Sequence, residues 1–358
     1  MLEKIVRKKT KIIKIGNTKI GGTYPILIQS MVKTDTANVN AVIAQIKKLT
    51  ENGCEIVRVS VKNEKQLNAL PHIKKAIKIP LVADIHFNHI FALKAVENVD
   101  KIRINPSNID PKYLKTIALE AKKNHIPIRI GINSGSVIKK YGKRNNLIKS
   151  MLEEANHTIR LFEGIKFYDT IVSLKASDVV QTVAAYKQFS HLHQYPVHLG
   201  VTATGVSYNG VVKSSIGIGS LLLDGIGDTV RVSLSSDPVE EVSVAKMILE
   251  SLRLRKFGLE VISCPTCGRC QVSLQKIIKG LQKKIIENKL DKIPIKLAVM
   301  GCEVNGPGEA SDADIGVACG KNNAVLFLKG HIIKRVPEKA IVNTLIFNIK
   351  KHFNKRGD

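Results

Sequence analysis

Short β-branched apolar runs recur along the first two thirds of the chain. Each is followed by a polar turn and then by a stretch whose apolar residues return at helical spacing. The runs occupy 26–31, 56–61, 81–87, 102–105, 128–133, 170–175, 197–202 and 229–234. Strands that alternate with helices predict right-handed crossovers and a parallel sheet, and eight such units close naturally into a (β/α)₈ TIM barrel, an α/β fold. An open doubly wound sheet would use fewer units and a glycine-rich turn after its first strand, and Gln29-Ser30-Met31 supplies no such turn. Ahead of the barrel, 11–15 and 18–20 flank Gly16-Asn17, a pair suited to a two-residue reverse turn, so a hairpin is predicted across the barrel's lower mouth.

The eightfold pattern lapses over 251–260, which predicts a boundary near Gly258, with the barrel over 1–258 and a second module over 259–358. In that module Leu274, Ile277, Ile278, Leu281 and Ile285 mark one buried face of a helix over 273–290. Strands are predicted over 295–300, 315–318, 324–328 and 331–336, and Pro337 suits the first turn of a closing helix toward His352. The expectation is a small α+β module.

In a barrel of this kind the C-terminal ends of the strands face the active site. Those ends carry Gln29 and Ser30, Arg58 and Ser60, Asp84 and His86, Arg103 and Asn105, Arg129 and Asn133, Lys175 and Ser177, Thr202, and finally Arg231 and Ser233. Long cations from five different strands repel one another unless a multiply charged anion lies between them, and a phosphate or diphosphate is the obvious candidate. Arginine can hold such oxygens bidentately, while Asn and Ser add neutral donors. For any single cation the competing reading is a place in the barrel interior or a carboxylate partner. His86 and His198 read more readily as hydrogen-bonded structural residues, and Asp84 as either a base or the group that orients Arg103.

The second module carries Cys264-Pro265-Thr266-Cys267, a spacing shared by zinc sites, disulfide exchange and iron–sulfur ligation. Cys302 stands before a glycine- and proline-rich turn whose open backbone can offer N–H groups to a cofactor's sulfides, and the segment ends in Glu309. Three thiolates leave one iron of a cubane cluster to an exchangeable oxygen ligand, which makes that corner a Lewis acid as well as an electron carrier. Cys270 extends the motif to Cys-x-x-Cys-x-x-Cys and competes with Glu309 for the fourth position; a structural zinc site is the other alternative. Cys54 and Cys319 stand alone and read as small buried hydrophobes.

A formal net charge of +26 draws polyanions, so a zinc-stabilised, basic RNA-binding barrel is a competing class. The lysines are spread along nearly every predicted helix, however, and aromatic residues make up only 4% with no Trp, which leaves little for base stacking. The excess reads better as attraction to acidic metabolites or an acidic protein partner. No stretch approaches the roughly 20 apolar residues of a membrane-spanning helix, and no apolar run follows the first charges, so a cytoplasmic protein is predicted.

Taken in order, the motifs resemble those of the 4-hydroxy-3-methylbut-2-enyl diphosphate synthase family over essentially the whole chain. They are Gln29-Ser30-Met31, Ile56-Val57-Arg58-Val59-Ser60, Val82-Ala83-Asp84-Ile85-His86-Phe87, Arg103-Ile104-Asn105-Pro106, Arg129-Ile130-Gly131, Lys213-Ser214, Ile216-Gly217, 225–233, Asp237-Pro238-Val239-Glu240-Glu241, 263–267, and Cys302 with 305–309. The resemblance implies that 2-C-methyl-D-erythritol 2,4-cyclodiphosphate is opened, reduced by two electrons and dehydrated. It implies a [4Fe–4S] cluster, one per subunit, held by Cys264, Cys267, Cys302 and Glu309. It further implies a diphosphate site lined by Arg58, Arg103, Asn105, Arg129, Asn133, Lys175, Arg231 and Ser233, with Arg58, Lys175 and Glu309 taking part in catalysis. Reduced flavodoxin or ferredoxin is the implied electron donor, and a homodimer in which one subunit's cluster domain closes over the other's barrel is the implied assembly.

The chain departs from the family at three places. The family typically reads Thr-Glu-Ala-Gly where this chain has Thr202-Ala203-Thr204-Gly205, and a methyl group cannot relay a proton. Asn88-His89-Ile90 replaces a more acidic and basic segment, and Cys270 is unusual. An impaired enzyme, or a barrel that only binds phosphorylated metabolites, is therefore an alternative.

Overall fold

The computed structural model describes residues 5–142, 146–202 and 207–353, and the chain divides into two compact units between Arg255 and Lys256. The first unit opens with an antiparallel hairpin of β1 (Ile13–Ile15) and β2 (Thr18–Ile20). Its turn runs through Gly16 at φ +55°, a conformation that L side chains rarely adopt. Parallel strands follow: β3 (Leu27–Met31), β4 (Ile56–Ser60), β5 (Leu81–Ile85), β6 (Lys101–Ile104), β7 (Ile128–Asn133), β8 (Thr170–Lys175), β9 (His198–Leu199) and β10 (Thr229–Val230). Neighbours pair in chain order, β10 returns to β3, and a bridge between Val172 and Val197 joins β8 to β9. The ring closes, so the barrel predicted from the eightfold pattern is the fold observed.

The polar turns of that pattern are helix caps. The side chains of Asn38, Asn63, Asp178 and Asp237 accept from the backbone N–H groups of Ala41, Gln66, Gln181 and Val239, each at the start of a helix. Such caps stabilise a helix by about 0.5–2 kcal/mol each. At the N-terminal mouth Ile13, Ile15 and Ile20 pack against Leu27, Ile56, Val82 and Ile171, so the hairpin plugs the barrel where it was predicted to. Burying each of these aliphatic side chains is worth about 1.5–3 kcal/mol.

β9 and β10 are shorter than the predicted 197–202 and 229–234. At Gly200 a Cβ would lie 2.4 Å from Lys175 Nζ and 2.6 Å from Arg231 O. The backbone there closes on its neighbours instead of continuing the pleat. Cross-strand links persist without a regular ladder: Arg231 N donates to Leu199 O at 3.0 Å and Thr202 N to Ala176 O at 3.2 Å.

The second unit is a five-stranded sheet in the order β11 (Glu260–Ser263), β12 (Lys296–Met300), β13 (Ile315–Gly320), β14 (Asn323–Leu328) and β15 (His331–Pro337). The first three strands are parallel and the last two pairings antiparallel. Helices Leu274–Glu287 and Ile341–His352 share one core with the sheet, in which Leu281, Ile285, Leu345 and Ile349 meet Leu297, Val317 and Leu326. Ala310 packs with Ala298, Met300 and Ala318 in a separate cluster.

Three expectations for this unit need correction. β11 was not foreseen, because a four-residue edge strand leaves no distinctive period. Pro337 ends β15 at ψ +145° and precedes a 3₁₀ turn, so the closing helix starts at Ile341. The glycine- and proline-rich stretch is not an open turn but a short helix, Gly306–Ser311, with a proline in its first turn. A Cβ at Gly306 would crowd that of Met300, at 3.0 Å. Among the described residues no helix is long and apolar enough to cross a membrane.

Candidate active site

Strand register sets Asp84 of β5 beside Arg103 of β6, and Arg103 beside Arg129 of β7. Arg103 Nη1 donates to Asp84 Oδ1 at 3.0 Å, and Nη2 donates to Gly131 O at 2.9 Å. Arg58 Nε stands 3.6 Å from Asp84 Oδ2 and, with Nη2, lies against Met31 Sδ at 3.2 and 3.0 Å. Arg129 Nη1 donates to Ser173 Oγ at 2.8 Å, whereas its Nε and Nη2 are buried without a protein partner. Lys175 Nζ lies over Gly200, and Arg231 Nη2 reaches Glu241 Oε2 at 3.5 Å.

Against these five cations the described residues set Asp84 and Glu241, and burial and mutual repulsion show in the titration of Arg58, Arg129 and Lys175. Burial lowers Arg58 to about 9, with Asp84 opposing the shift. Burial lowers Arg129 well below the ordinary arginine range, and Arg58 and Arg103 push it further. Lys175 is lowered likewise by burial and then by Arg129, Arg231, Arg58 and Arg103. Burial alone would raise Asp84, but Arg58, Arg103 and His86 hold it well below the usual carboxylate range. A compact anion of several charges entering this group would relieve repulsion that the protein itself leaves uncompensated.

The neutral donors sit at or just beyond the ends of β6, β7 and β10. Asn105 Nδ2 donates to Ser136 Oγ at 3.0 Å, while its Oδ1 accepts from Ser107 N at 3.2 Å. The Asn133 amide, turned to suit its neighbours, accepts from Arg103 Nη2 at 3.3 Å. Ser233 is half-buried beyond the end of β10.

Gly131 is what lets Arg103 lie across β7, since a Cβ there would sit 2.3 Å from Arg103 Nε. Gly131→Ala is expected to dislodge Arg103 from Asp84 and to weaken pyrophosphate binding at least about tenfold, or 1.4 kcal/mol. Calorimetric titration of the folded variant tests this, and unchanged affinity would remove Arg103 from the anion site.

In the second unit Cys264 and Cys302 flank the backbone of Gly301, whose N–H donates to Cys264 Sγ at 3.3 Å. Backbone N–H groups of Val304 and Asn305, then Gly306, hold the Cys302 thiol below its ordinary range. Cys267 is exposed, and Glu309 is exposed in the first turn of the helix Gly306–Ser311. Among the described residues no three His, Cys, Asp or Glu side chains converge on one ion-sized point. Sulfur donors that receive backbone N–H groups suit an iron–sulfur cluster, whose potential such hydrogen bonds tune. Cys264 and Cys302 therefore have the chemistry such a group needs. Cys54 and Cys319 are fully buried, and burial pushes each thiol up to about 12, as inert small hydrophobes would be.

A family model described as the GcpE TIM-barrel domain matches residues 10–246, and one described as the GcpE protein C-terminal domain matches residues 260–351. The chain belongs to the GcpE family. Over 97% of its length it is 52% identical to the 4-hydroxy-3-methylbut-2-en-1-yl diphosphate synthase (flavodoxin) of Thermodesulfovibrio yellowstonii, covering 100% of that protein. The enzyme of the same name from Fusobacterium nucleatum is 47% identical over 99% of this chain and 100% of its own. Two solved dihydropteroate synthases share the barrel at a TM-score of 0.51. That of Stenotrophomonas maltophilia is 12% identical over 66% of this chain and 97% of its own, and that of Coxiella burnetii 11% over 68% and 99%. Identity so low speaks to fold alone.

In this GcpE chain Arg58, Arg103, Arg129, Lys175 and Arg231 gather at one end of the barrel, with Asn133 on Arg103. Asp84 orients Arg103, one of the two roles its position allowed. His86 joins the same group, its Nε2 2.9 Å from Arg103 Nη1 and 3.4 Å from Asp84 Oδ2. His198 is fully buried, its Nδ1 paired with Thr229 Oγ1 at 2.9 Å and its Nε2 without a protein partner. Ala203 lies outside the described residues. Two contributors were missed. Lys101, two positions before Arg103 and on the same strand face, is fully buried with Nζ 3.3 Å from Gln29 Oε1, and that alternation was the signal available. Glu241 reaches Arg231 from a helix that folds back over the strand end, which no local pattern foretells.

Proposed function

We propose that this chain opens 2-C-methyl-D-erythritol 2,4-cyclodiphosphate, reduces it by two electrons and dehydrates it to 4-hydroxy-3-methylbut-2-enyl diphosphate. Two electrons and two protons enter and one water leaves. The observation that carries the reading is the cluster of buried Arg58, Arg103, Arg129 and Lys175 and half-buried Arg231, with only Asp84 and Glu241 opposite it among the described residues. That charge pattern suits a cyclic diphosphate better than a neutral or singly charged metabolite.

In this reading the arginines and Lys175 hold the diphosphate oxygens, and Asn105, Asn133 and Ser233 fix their orientation. Arg58 and Lys175 stabilise charge that develops as the ring C–O bond opens. A [4Fe–4S] cluster, one per subunit, would be held by Cys264, Cys267, Cys302 and Glu309 and would supply single electrons and a Lewis-acidic iron. Glu309 would be the exchangeable ligand of that cluster. Ala203 has no proton to give, so the proton that leaves with the hydroxyl would come from Glu309, water or another group. Flavodoxin or ferredoxin delivers the electrons, the basic surface favours such acidic donors, and the enzyme works as a cytoplasmic homodimer.

The test is anaerobic reconstitution with iron and sulfide, followed by the cyclodiphosphate and a one-electron donor. Wild type is expected to show a cluster spectrum and form the allylic alcohol diphosphate, and Cys302→Ser to lose both. A full cluster with no product would overturn the assignment.

A further inference from the structure

We propose that Cys270 closes a reversible disulfide with Cys264 in the cluster-free protein and so protects a thiol of the cysteine centre from irreversible oxidation. The two sulfurs crowd one point. A Cβ on Gly301 would lie 2.6 Å from Cys270 Sγ and 3.4 Å from Cys264 Sγ, and the three heavy atoms nearest that point all belong to these two residues. The main chain holds both in place: Gly301 N–H donates to Cys264 Sγ at 3.3 Å, and Gly301 O accepts from Gln271 N at 2.9 Å. The turn that brings Cys270 back is closed by its N–H donating to Cys267 O at 2.9 Å, and its thiol donates to Val272 O at 3.3 Å. Cys264 and Cys270 are half-buried, Cys267 is exposed and Cys319 is fully buried. Both sulfurs therefore lie beside the bare backbone of Gly301, no more than 6.0 Å apart. A disulfide needs sulfurs brought to about 2 Å, so the proposed bond requires the two side chains to rotate toward each other across Gly301.

The oxidant is hydrogen peroxide. The Cys264 sulfur attacks one peroxide oxygen, the O–O bond breaks, and hydroxide leaves and takes a proton to become water; Cys264 becomes a sulfenic acid. The Cys270 sulfur then attacks that sulfur and gives up its proton, the S–O bond breaks, and a second water leaves. The thiols lose two electrons and two protons, and the peroxide takes up both. A dithiol reductant returns the electrons and frees both thiols. Without a neighbouring thiol, further oxidation carries a sulfenic acid to the irreversible sulfinic acid. That Cys264 is a cluster ligand rests on the reading above, whereas the pairing itself does not.

The full-length cluster-free protein, treated with limiting peroxide, alkylated and digested with trypsin, provides the test. Arg269 separates the two cysteines, so the bond would join peptides 257–269 and 270–276. Wild type and Cys267→Ser are both expected to yield the linked pair as the main product. Cys270→Ser and Cys270→Ala should lose it and show severalfold more sulfinic acid at Cys264, with circular dichroism like that of wild type. After dithiothreitol, wild type should regain cluster absorbance on reconstitution and the Cys270 variants should not. Free Cys270 after peroxide, a bond to Cys267 instead, or equal sulfinic acid in wild type and variants would overturn the proposal. A linked pair in protein that never binds iron would support the pairing and overturn the cluster assignment alone.

Discussion

Replacing Arg129 with methionine should abolish most turnover and, in the ligand-free protein, raise thermal stability. Arg129 is 1% exposed, and only Nη1 of its guanidinium has a partner, Ser173. A buried donor without a partner destabilises by about 1–3 kcal/mol. Apolar side chains of similar volume are often neutral or stabilising in place of buried ions, by about 1–4 kcal/mol. For a unit of this size each kcal/mol moves Tm by about 2–4 °C, so the ligand-free variant should melt several degrees higher. The reconstituted variant should lose on the order of 10²–10³-fold in kcat/KM, the usual effect of deleting one preorganised donor at a developing charge. Pyrophosphate should raise the Tm of wild type more than that of the variant, since a ligand stabilises in proportion to how tightly it binds the folded state. A variant that melts lower without ligand would mean that Arg129 serves packing, and the anion assignment would fail with it.

The same residue shows where sequence reading succeeds and where it stops. Arg103 and Lys175 could be placed at strand ends because a barrel strand has a period of two, its C-terminal end faces the active site, and the β-branched runs mark where each strand stops, whereas Arg129, also read as a strand-end residue, is only the second residue of β7. The hairpin plug was legible because Gly16-Asn17 has a narrow conformational meaning. Tertiary pairing was not legible. Asp84 could be a base or a partner of Arg103 until the register of β5 and β6 set them side by side. Glu241 arrives from a helix, and its contact with Arg231 depends on how that helix folds back. The adjacency of Cys264 and Cys270 arises from a turn and from the bare backbone of Gly301, neither of which has a periodic signature. β9 and β10 were overestimated for a related reason: apolar composition extends through 197–202, while the backbone at Gly200 bends to meet Lys175.

Asp84→Asn should destabilise the protein strongly at neutral pH, and the deficit should shrink in acid and on adding pyrophosphate. The carboxylate lies 3.0 Å from Arg103, 3.6 Å from Arg58 and 3.4 Å from His86, and it is 3% exposed. Neutralising one member of a buried ion group leaves the other charges uncompensated, at a cost of about 3–5 kcal/mol. The sign of the pH dependence follows from Asp84 being held well below its unfolded value of about 3.9. Its contribution is fully present above the unfolded value and is lost as pH falls through the folded one, so wild type and variant should converge below about pH 4. Pyrophosphate offers an independent check, because it brings negative charge to the same guanidinium groups. If Asp84 acts through its charge, saturating pyrophosphate should narrow the Tm gap between variant and wild type at pH 7. Turnover should nonetheless stay low, because a free anion restores charge balance without aiming Arg58 and Arg103. A gap of constant size across both titrations would mean that the carboxylate matters for its shape, and the cation cluster would then need another explanation for its stability.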